Sequence, residues 1–230
     1  PVEFVGHPML DDLRLEEAGR GSPPAGAPAP GPPVVALLPG SRWNEVRRHL
    51  PVMLRAAEIM KRKIPSIGFV TAPPKEAFRA FTEAALAASP VAVSVMPAGA
   101  YEAMRAASLI LVASGTATLE AACLLKPMLI VYRVAWPTYF LGRALVKLPY
   151  IGLVNVIAGR KVMPEFIQRD ASPGRIAAAA LAWLGDGAAY GAAVEALREV
   201  RAAVGAAGAS GRAAGAVLAA VSGNRGNGAA

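Results

Sequence analysis

The sequence predicts an α/β fold: a doubly wound parallel sheet followed by C-terminal helices. Five short, continuous apolar runs are typical of strands that are buried on both faces. Helical segments alternate with these runs, and this order implies parallel strands joined by helical crossovers. Beyond Tyr132 the pattern becomes mostly helical. The predicted strands are Val34–Leu38, Ile67–Thr71, Val91–Val95, Leu109–Val112 and Met128–Tyr132.

Helices are predicted between and after these strands. The first two are expected to start at Pro51 and Pro74, because proline suits the first turn of a helix. They run to Lys63 and Ala88, and Ala100–Ala106 and Thr116–Leu125 follow. The C-terminal helices are predicted at 137–147, 174–184, 189–204 and 210–221.

The composition of the two ends suggests boundaries. Residues 17–33 are mostly Pro, Gly and Ala and are typical of a linker, and the Gly/Asn/Ala tail 222–230 is expected to be disordered. We therefore predict a leader and linker at 1–33, a Rossmann-like ligand-binding domain at 34–171, and C-terminal helices with the tail at 172–230.

The net charge and the absence of several motifs limit the classes of ligand and partner that the chain is expected to bind. The 230 residues carry 24 Lys and Arg against 16 Asp and Glu, a net charge of +8, which favours phosphates, anionic lipids or nucleic acid as partners. We find no P-loop motif, no Cys/His cluster, no Asp-x-Asp element and no aromatic–basic ladder. We therefore expect no bound metal or other cofactor and no nucleic acid. The sequence shows no signal peptide, which favours a cytoplasmic location.

The first candidate site follows the first predicted strand. The run Val34–Leu38 stops at Pro39, and Gly40, Ser41 and Arg42 come next. Backbone N–H groups, a hydroxyl and a guanidinium in one tight loop suit a phosphate, although a plain strand-to-helix turn is an equal alternative. Glu45 lies within one helical turn and can orient Arg42 through a salt bridge.

A second loop of the same type follows the fourth strand. Ser114, Gly115 and Thr116 precede an apolar helix, and Ser114 or Thr116 can cap it. The N–H groups and positive end of that helix also suit a pyrophosphate. Glu120, one turn further along, is otherwise flanked by apolar residues and can accept hydrogen bonds from both ribose hydroxyls. Two such loops favour a nucleoside diphosphate as ligand.

Polar residues in the apolar region 152–168 are a third group of candidates. Asn155 stands among apolar neighbours and needs hydrogen-bond partners, which can be loop backbone or a ligand. The same two interpretations stay open for Glu165 and Gln168.

The segment 135–150 combines aromatic and basic residues. This pattern suits the interface of an anionic membrane, and an ordinary core-facing helix is the alternative. The residues expected to touch a membrane are Trp136, Tyr139, Phe140, Arg143 and Lys147.

Taken together, these residues resemble the lipid-A-disaccharide synthase family, glycosyltransferases of the two-domain GT-B type. The resembling blocks keep their order and a sensible spacing over most of residues 1–185. It is carried by Phe4-Val5-Gly6-His7-Pro8, Leu37-Leu38-Pro39-Gly40-Ser41-Arg42 with Glu45-Val46, Ala113-Ser114-Gly115-Thr116-Ala117-Thr118-Leu119-Glu120, Pro127-Met128, Tyr132-Arg133, Leu145-Val146-Lys147, and Asn155 with Ala158-Gly159-Arg160.

The resemblance implies a reaction and the residues that serve it. UDP-2,3-diacylglucosamine would donate its sugar to 2,3-diacylglucosamine 1-phosphate with inversion and without a metal, releasing UDP. Arg42 would stabilise the leaving UDP, Glu120 would hold the ribose, and Asn155 would line the donor pocket. The implied UDP-binding residues are Gly40, Ser41, Arg42, Ser114, Gly115, Thr116, Glu120 and Asn155, with Glu45, Tyr132, Arg160, Glu165 and Gln168 as further candidates.

The resemblance also implies partners outside this sequence. Family members are much longer, so this chain is expected to be the carboxyl-terminal, donor-binding half of the GT-B fold. The acceptor site and general base would lie in the amino-terminal half, and the chain alone is expected to be inactive. The family implies a homodimer and a peripheral position on the inner face of the cytoplasmic membrane.

Two alternatives remain at this stage. One is another GT-B enzyme that uses a UDP-sugar, such as the peptidoglycan N-acetylglucosaminyltransferase or a UDP-sugar 2-epimerase. The other is a non-catalytic basic module that binds lipid headgroups or nucleic acid. The block from Asn155 to Arg160 and the region around Lys147 weigh against the other enzymes.

Overall fold

The structure, a computed structural model, describes residues 2–11, 31–145 and 148–225, with side chains left out at 141–145 and 222–225. These residues belong to two compact units. One unit contains residues 2–11 and 201–225, and the other contains residues 31–200.

Six parallel strands form one sheet in the larger unit. Their order across the sheet is β3-β2-β1-β4-β5-β6, so the predicted doubly wound parallel sheet is confirmed. The strands are β1 (Val34–Leu38), β2 (Gly68–Thr71), β3 (Ser94–Val95), β4 (Leu109–Ala113), β5 (Met128–Tyr132) and β6 (Glu165–Ile167).

The central strand β1 has neighbours on both sides. Val35 lies opposite Phe69 of β2 and opposite Leu109 of β4. The strand order therefore reverses between β1 and β4, and in such sheets ligands bind outside the carboxyl ends of the strands at that point.

Helices cover the sheet, and one short 3-10 turn lies at Glu76–Phe78. The larger unit contains α1 (Trp43–Lys63), α2 (Arg79–Ala87), α3 (Ala100–Ala106), α4 (Thr116–Cys123), α5 (Trp136–Leu145), α6 (Leu153–Ala158) and α7 (Pro173–Gly185). The chain continues with α8 (Gly187–Val204) and α9 (Ala209–Arg225).

The prediction that the first helix starts at Pro51 is wrong. Helix α1 starts eight residues earlier, at Trp43, and Pro51 lies exposed inside it. Proline removes one backbone hydrogen bond from a helix interior. The buried stripe that includes Val46, Leu50 and Met53 spans the proline and stabilises the helix on both sides.

Several short elements differ from the prediction. The segment 91–95 forms only the two-residue edge strand β3, and 74–88 divides into the 3-10 turn and α2. Strand β6 and helix α6 were not predicted, because three and six residues are too few to show a clear periodicity.

The predicted domain boundary at residue 171 is also displaced. Ile176, Ala177 and Ala180 of α7 lie in the same buried cluster as Leu50 and Met53 of α1. Helix α7 is therefore part of the sheet domain, and the larger unit extends to Val200.

Helices α8 and α9 are rich in Ala and Gly. The segment 187–221 has the length and apolar composition of a membrane-crossing helix. Of its most apolar stretch of 18 residues, 11% is buried. It is interrupted between Val204 and Ala209, where Gly205 and Gly208 have φ angles of 97° and 94°. Helix α9 includes residues 222–225, which were expected to be disordered, and 226–230 lie outside the described residues.

The smaller unit joins the two ends of the chain. The Asp11 carboxylate accepts hydrogen bonds from the backbone N–H groups of Gly208 and Ser210, the second at 3.0 Å. Arg212 donates to the carbonyls of Val5 and Ala207 at 3.0 and 2.9 Å. The bonds to its carboxylate lower the pKa of Asp11 to about 2.

We predict that acid weakens the contact between residues 2–11 and the start of α9. A carboxyl group with a lowered folded-state pKa stabilises the fold above its ordinary pKa of 3.8 and loses this effect as the pH falls towards about 2. An NMR titration of the Asp11 carboxyl, with the Gly208 and Ser210 amide shifts as second probes, measures this. Asp11→Asn should abolish the transition and Glu3→Gln should preserve it, whereas a midpoint near 3.8 would contradict the assigned contacts.

Candidate nucleotide site

A cleft of about 430 Å³ opens at the carboxyl ends of β1, β2 and β4. It lies where the strand order reverses, and it brings together the two loops that the sequence singled out. The predicted site residues that line it are Gly40, Ser41, Arg42, Glu45, Ser114, Gly115, Thr116 and Glu120.

Glu45 organises the loop after β1. Its Oε2 accepts the backbone N–H groups of Ser41 and Arg42 at 3.0 and 3.2 Å, and its Oε1 accepts Arg42 Nη1 at 3.0 Å. The predicted salt bridge to Arg42 is therefore present. The carboxylate also occupies the Ser41 and Arg42 N–H groups, which were expected to hold a phosphate. The guanidinium, on a side chain that is 81% exposed, stays available as a donor.

Gly40 makes this arrangement possible. Its φ angle is 116°, in the left-handed region that favours glycine. A Cβ atom at this position would collide with the Glu45 carboxylate and would lie 2.7 Å from Glu45 Cβ. The loop can therefore close over Glu45 only with glycine at position 40.

The loop after β4 leaves backbone donors available. Gly115 is the N-cap of α4, with a φ angle of 155° and no side-chain capping bond, so neither Ser114 nor Thr116 caps the helix. Within the described part of the chain, the N–H groups of Thr116 and Ala117 have no hydrogen-bond acceptor. The first N–H groups of a helix have no partner inside it and form a site for anions.

Ser114 contributes in another way than expected. Its hydroxyl donates to the carbonyl of Ile151 at 2.6 Å. Because a hydroxyl has one proton, Ser114 cannot donate to a phosphate at the same time. It fixes the segment before α6 against the cleft.

The two remaining walls of the cleft come from α4 and from the segment after β2. Glu120 is half-buried and lies one turn into α4. Opposite the β4 loop, Lys75, Phe78 and Thr82 line the wall, and the sequence analysis missed them because no motif marks them. Among the described residues, no group of three His, Cys, Asp or Glu side chains is placed to hold a metal ion.

Asn155 does not line this cleft. It is fully buried, and its Nδ2 donates to the Met163 carbonyl and to Glu165 Oε1, both at 2.8 Å. Its Oδ1 accepts the N–H groups of Val162 and Met163 at 2.9 and 2.8 Å. Of the two roles left open by the sequence, the structure places Asn155 in the backbone-binding one, because its amide is saturated.

Four other candidates also lie outside the lining residues. Glu165 accepts the N–H of Gly152 at 2.9 Å at the start of α6. The Gln168 side chain accepts the N–H of Val134 and donates to its carbonyl. Arg160 forms an exposed ion pair with Glu199. Tyr132 is half-buried at the end of β5.

His49 is a structural link that the sequence analysis overlooked. It is fully buried in α1, and its Nδ1 lies 2.8 Å from the Pro39 carbonyl. Its Nε2 accepts the N–H of Arg133 at 2.9 Å, so the proton of the neutral ring is on Nδ1 and is donated to Pro39. Burial lowers the pKa of His49 and favours this neutral form.

Helix α5 presents an aromatic cluster. The Trp136 ring lies 5.9 Å from Tyr139 and 5.7 Å from Phe140, and Trp136 and Phe140 are 45% and 63% exposed. The Arg169 guanidinium lies 5.4 Å from the Trp136 ring centroid. The side chain of Arg143 and all of Lys147 lie outside the described residues.

Comparison with known proteins identifies the family. Residues 1–210 match the family model of lipid-A-disaccharide synthetase. The chain belongs to this family. Lipid-A-disaccharide synthase of Anaeromyxobacter dehalogenans strain 2CP-C is 42% identical over 209 residues, which are 89% of this chain and 53% of the relative. The chain thus spans about half the length of the curated relatives that it matches.

Solved structures support the fold at lower identity. The calicheamicin glycosyltransferase CalG4 superposes with a TM-score of 0.54 at 20% identity, covering 86% of this chain and 44% of that one. The UDP-GlcNAc 2-epimerase from Neisseria meningitidis gives a TM-score of 0.52 at 15% identity, with coverage of 90% and 48%. The chain has the Rossmann-like α/β architecture of one half of such proteins.

We predict that Gly40→Ala destabilises the protein more than Gly99→Ala. Both glycines have positive φ angles, 116° and 101°. A residue with a side chain at such a position lowers the free energy of unfolding by about 1–3 kcal/mol. Only at Gly40 does the new methyl group also meet Glu45, whereas nothing lies within 4 Å at Gly99. Denaturant unfolding of the two variants compares these losses, and equal losses would show that Glu45 does not pack against Gly40 in solution.

Proposed function

We propose that this chain is the donor-binding half of a lipid-A-disaccharide synthase. The complete enzyme would transfer 2,3-diacylglucosamine from UDP to 2,3-diacylglucosamine 1-phosphate with inversion. The observation that carries the proposal is the cleft that combines the Arg42 guanidinium with the start of α4 at the reversal of strand order. Membership of the lipid-A-disaccharide synthetase family supports this choice of substrates.

The cleft suits the pyrophosphate and the ribose of UDP. The N–H groups of Thr116 and Ala117 and the positive end of α4 would bind the pyrophosphate. Arg42 would contact the same group from the β1 loop, and Glu120 would accept hydrogen bonds from the ribose hydroxyls. These residues line one cleft, which is the spatial requirement for the assignment.

Leaving-group stabilisation would come mainly from positive charge. As the glycosidic bond breaks, negative charge develops on UDP, and a donor already in place stabilises it without reorganisation. The bond that Arg42 Nη1 donates to Glu45 holds the guanidinium at one edge and leaves most of its five N–H donors available. We expect UDP binding without a metal, so that EDTA leaves the affinity unchanged.

The cleft accounts for the donor alone, and the rest of the reaction needs other parts of the enzyme. The acceptor site and the general base would belong to the amino-terminal half of the enzyme. We propose a cytoplasmic location at the inner face of the membrane, with α5 in contact with lipid, and a homodimer as the family resemblance implies. The exposed Trp136 and Phe140 rings, together with the Arg169 guanidinium beside Trp136, support the membrane contact.

We predict that this chain binds UDP and that Arg42→Ala weakens binding about tenfold or more, because a hydrogen bond to a charged group is lost. Isothermal calorimetry with UDP, UMP and uridine measures this. Uridine affinity should be insensitive to Arg42→Ala, whereas Glu120→Ala should weaken uridine and UDP alike. Arg47→Ala is the control, because Arg47 is an exposed arginine of α1 outside the cleft.

The nucleotide assignment fails if UDP binds no better than inorganic phosphate. Binding that Arg47→Ala weakens as much as Arg42→Ala, and that disappears with added salt, would support a non-specific basic surface instead.

We predict that Trp136→Ser combined with Phe140→Ser lowers binding to vesicles of phosphatidylglycerol and phosphatidylethanolamine at least about tenfold, because two apolar contacts with lipid are lost. Vesicle co-sedimentation measures this. Val95→Ser is the control, since Val95 is similarly exposed at 42% and lies on the edge strand β3. Equal binding of the double variant and the wild type would rule out α5 as the lipid contact.

A further inference from the structure

His49 connects two segments of the chain that follow β1 and β5, and these two strands are not neighbours in the sheet. Pro39 follows β1 and Arg133 follows β5, with β4 between these strands. The imidazole donates to the carbonyl of Pro39 and accepts the N–H of Arg133. Both bonds are made by a fully buried side chain, so their geometry is rigid and shielded from water.

The Pro39 end of this link leads directly to the candidate site. Gly40, Ser41 and Arg42 follow Pro39. On the other side their backbone is fixed by the Glu45 carboxylate and by the N–H groups of Glu45 and Val46, which donate to the Arg42 carbonyl. The Pro39 carbonyl is therefore a second point, besides the contacts at Glu45, at which the loop is attached to α1.

On the other side of the imidazole, Arg133 lies shortly before helix α5. Gln168 binds the N–H and carbonyl of Val134 at 2.8 and 3.1 Å. His49 and Gln168 together fix two consecutive residues, and α5 starts at Trp136. The same imidazole thus contributes to the position of both the loop that carries Arg42 and the start of α5.

We infer that His49 is a positioning residue that holds the Arg42 loop in the geometry needed to bind the pyrophosphate of the donor. This inference rests on the proposed function for its ligand. His49 itself has no contact with the cleft, because it is fully buried and absent from the lining. Its effect on binding therefore has to pass through Pro39 and the loop.

Neighbouring charges are compatible with the neutral ring. Glu45 on the same helix favours the protonated form, Arg133 disfavours it, and the Tyr132 ring lies 6.1 Å from the imidazole. The bond from Arg133 N–H requires a lone pair on Nε2, which only the neutral ring provides in this tautomer.

Two polar variants separate the two bonds. His49→Asn places an amide N–H near the position of Nδ1 and can keep the Pro39 bond, whereas His49→Gln places its amide near Nε2 and can keep the Arg133 bond. We expect UDP affinity within about threefold of wild type for His49→Asn and a loss of about tenfold for His49→Gln. Calorimetry on this chain, with the folded fraction of each variant checked by denaturant unfolding, measures both.

A double variant tests the route through Arg42. His49→Gln should cause little further loss of UDP affinity when Arg42 is already alanine, because the two residues act through one contact. Additive losses would overturn the inference, as would equal affinities of His49→Asn and His49→Gln.

Hydrogen exchange supplies a readout that does not depend on UDP. The Ser41 and Arg42 amides should exchange faster in His49→Gln than in wild type or His49→Asn. Unchanged exchange would overturn the positioning role whatever ligand the cleft binds. If the two amides exchange faster in His49→Gln but the wild-type chain does not bind UDP, the proposed function is rejected and the positioning role of His49 stands.

Discussion

In the sheet, β1 is hydrogen-bonded to β2 on one side and to β4 on the other, and the location of the site depends on this pairing. Val35, Leu37, Leu109 and Leu111 alternate along these strands towards the core shared with α1 and α7. Both faces of these strands are buried and apolar, so the register depends on how the side chains of each face pack against the helices that cover it. The register in turn brings the loops after β1 and β4 to the same cleft.

Within the cleft, Glu45 changes how the β1 loop can bind an anion. A carboxylate that accepts two backbone N–H groups and a guanidinium N–H is an internal counterion for the loop. It reduces the local positive potential but restricts the motion of Arg42, whose planar guanidinium can then bind phosphate oxygens with less loss of freedom. The backbone donors for a ligand come instead from the start of α4.

Several polar side chains that resembled ligand contacts act as internal supports. Asn155 saturates its amide on the loop at 162–163 and on Glu165, and Glu165 binds the backbone before α6. A lone polar residue in an apolar sequence needs partners, but the sequence cannot distinguish backbone partners from a ligand. These supports hold α6 beside the cleft, so they contribute to the site without contacting its occupant.

The sequence by itself determined the parallel α/β class, the two loops and the family, because apolar runs, glycine positions and motif spacing are local properties of the chain. It misplaced the start of α1 at Pro51, since the apolar stripe that stabilises the helix across the proline acts only when packed against the sheet. Only the tertiary structure decided that Glu45 fills the β1 loop, that Asn155 supports a loop, and that His49 connects Pro39 to Arg133. Each of these depends on hydrogen-bond geometry, and in the case of His49 the partners lie 10 and 84 residues away.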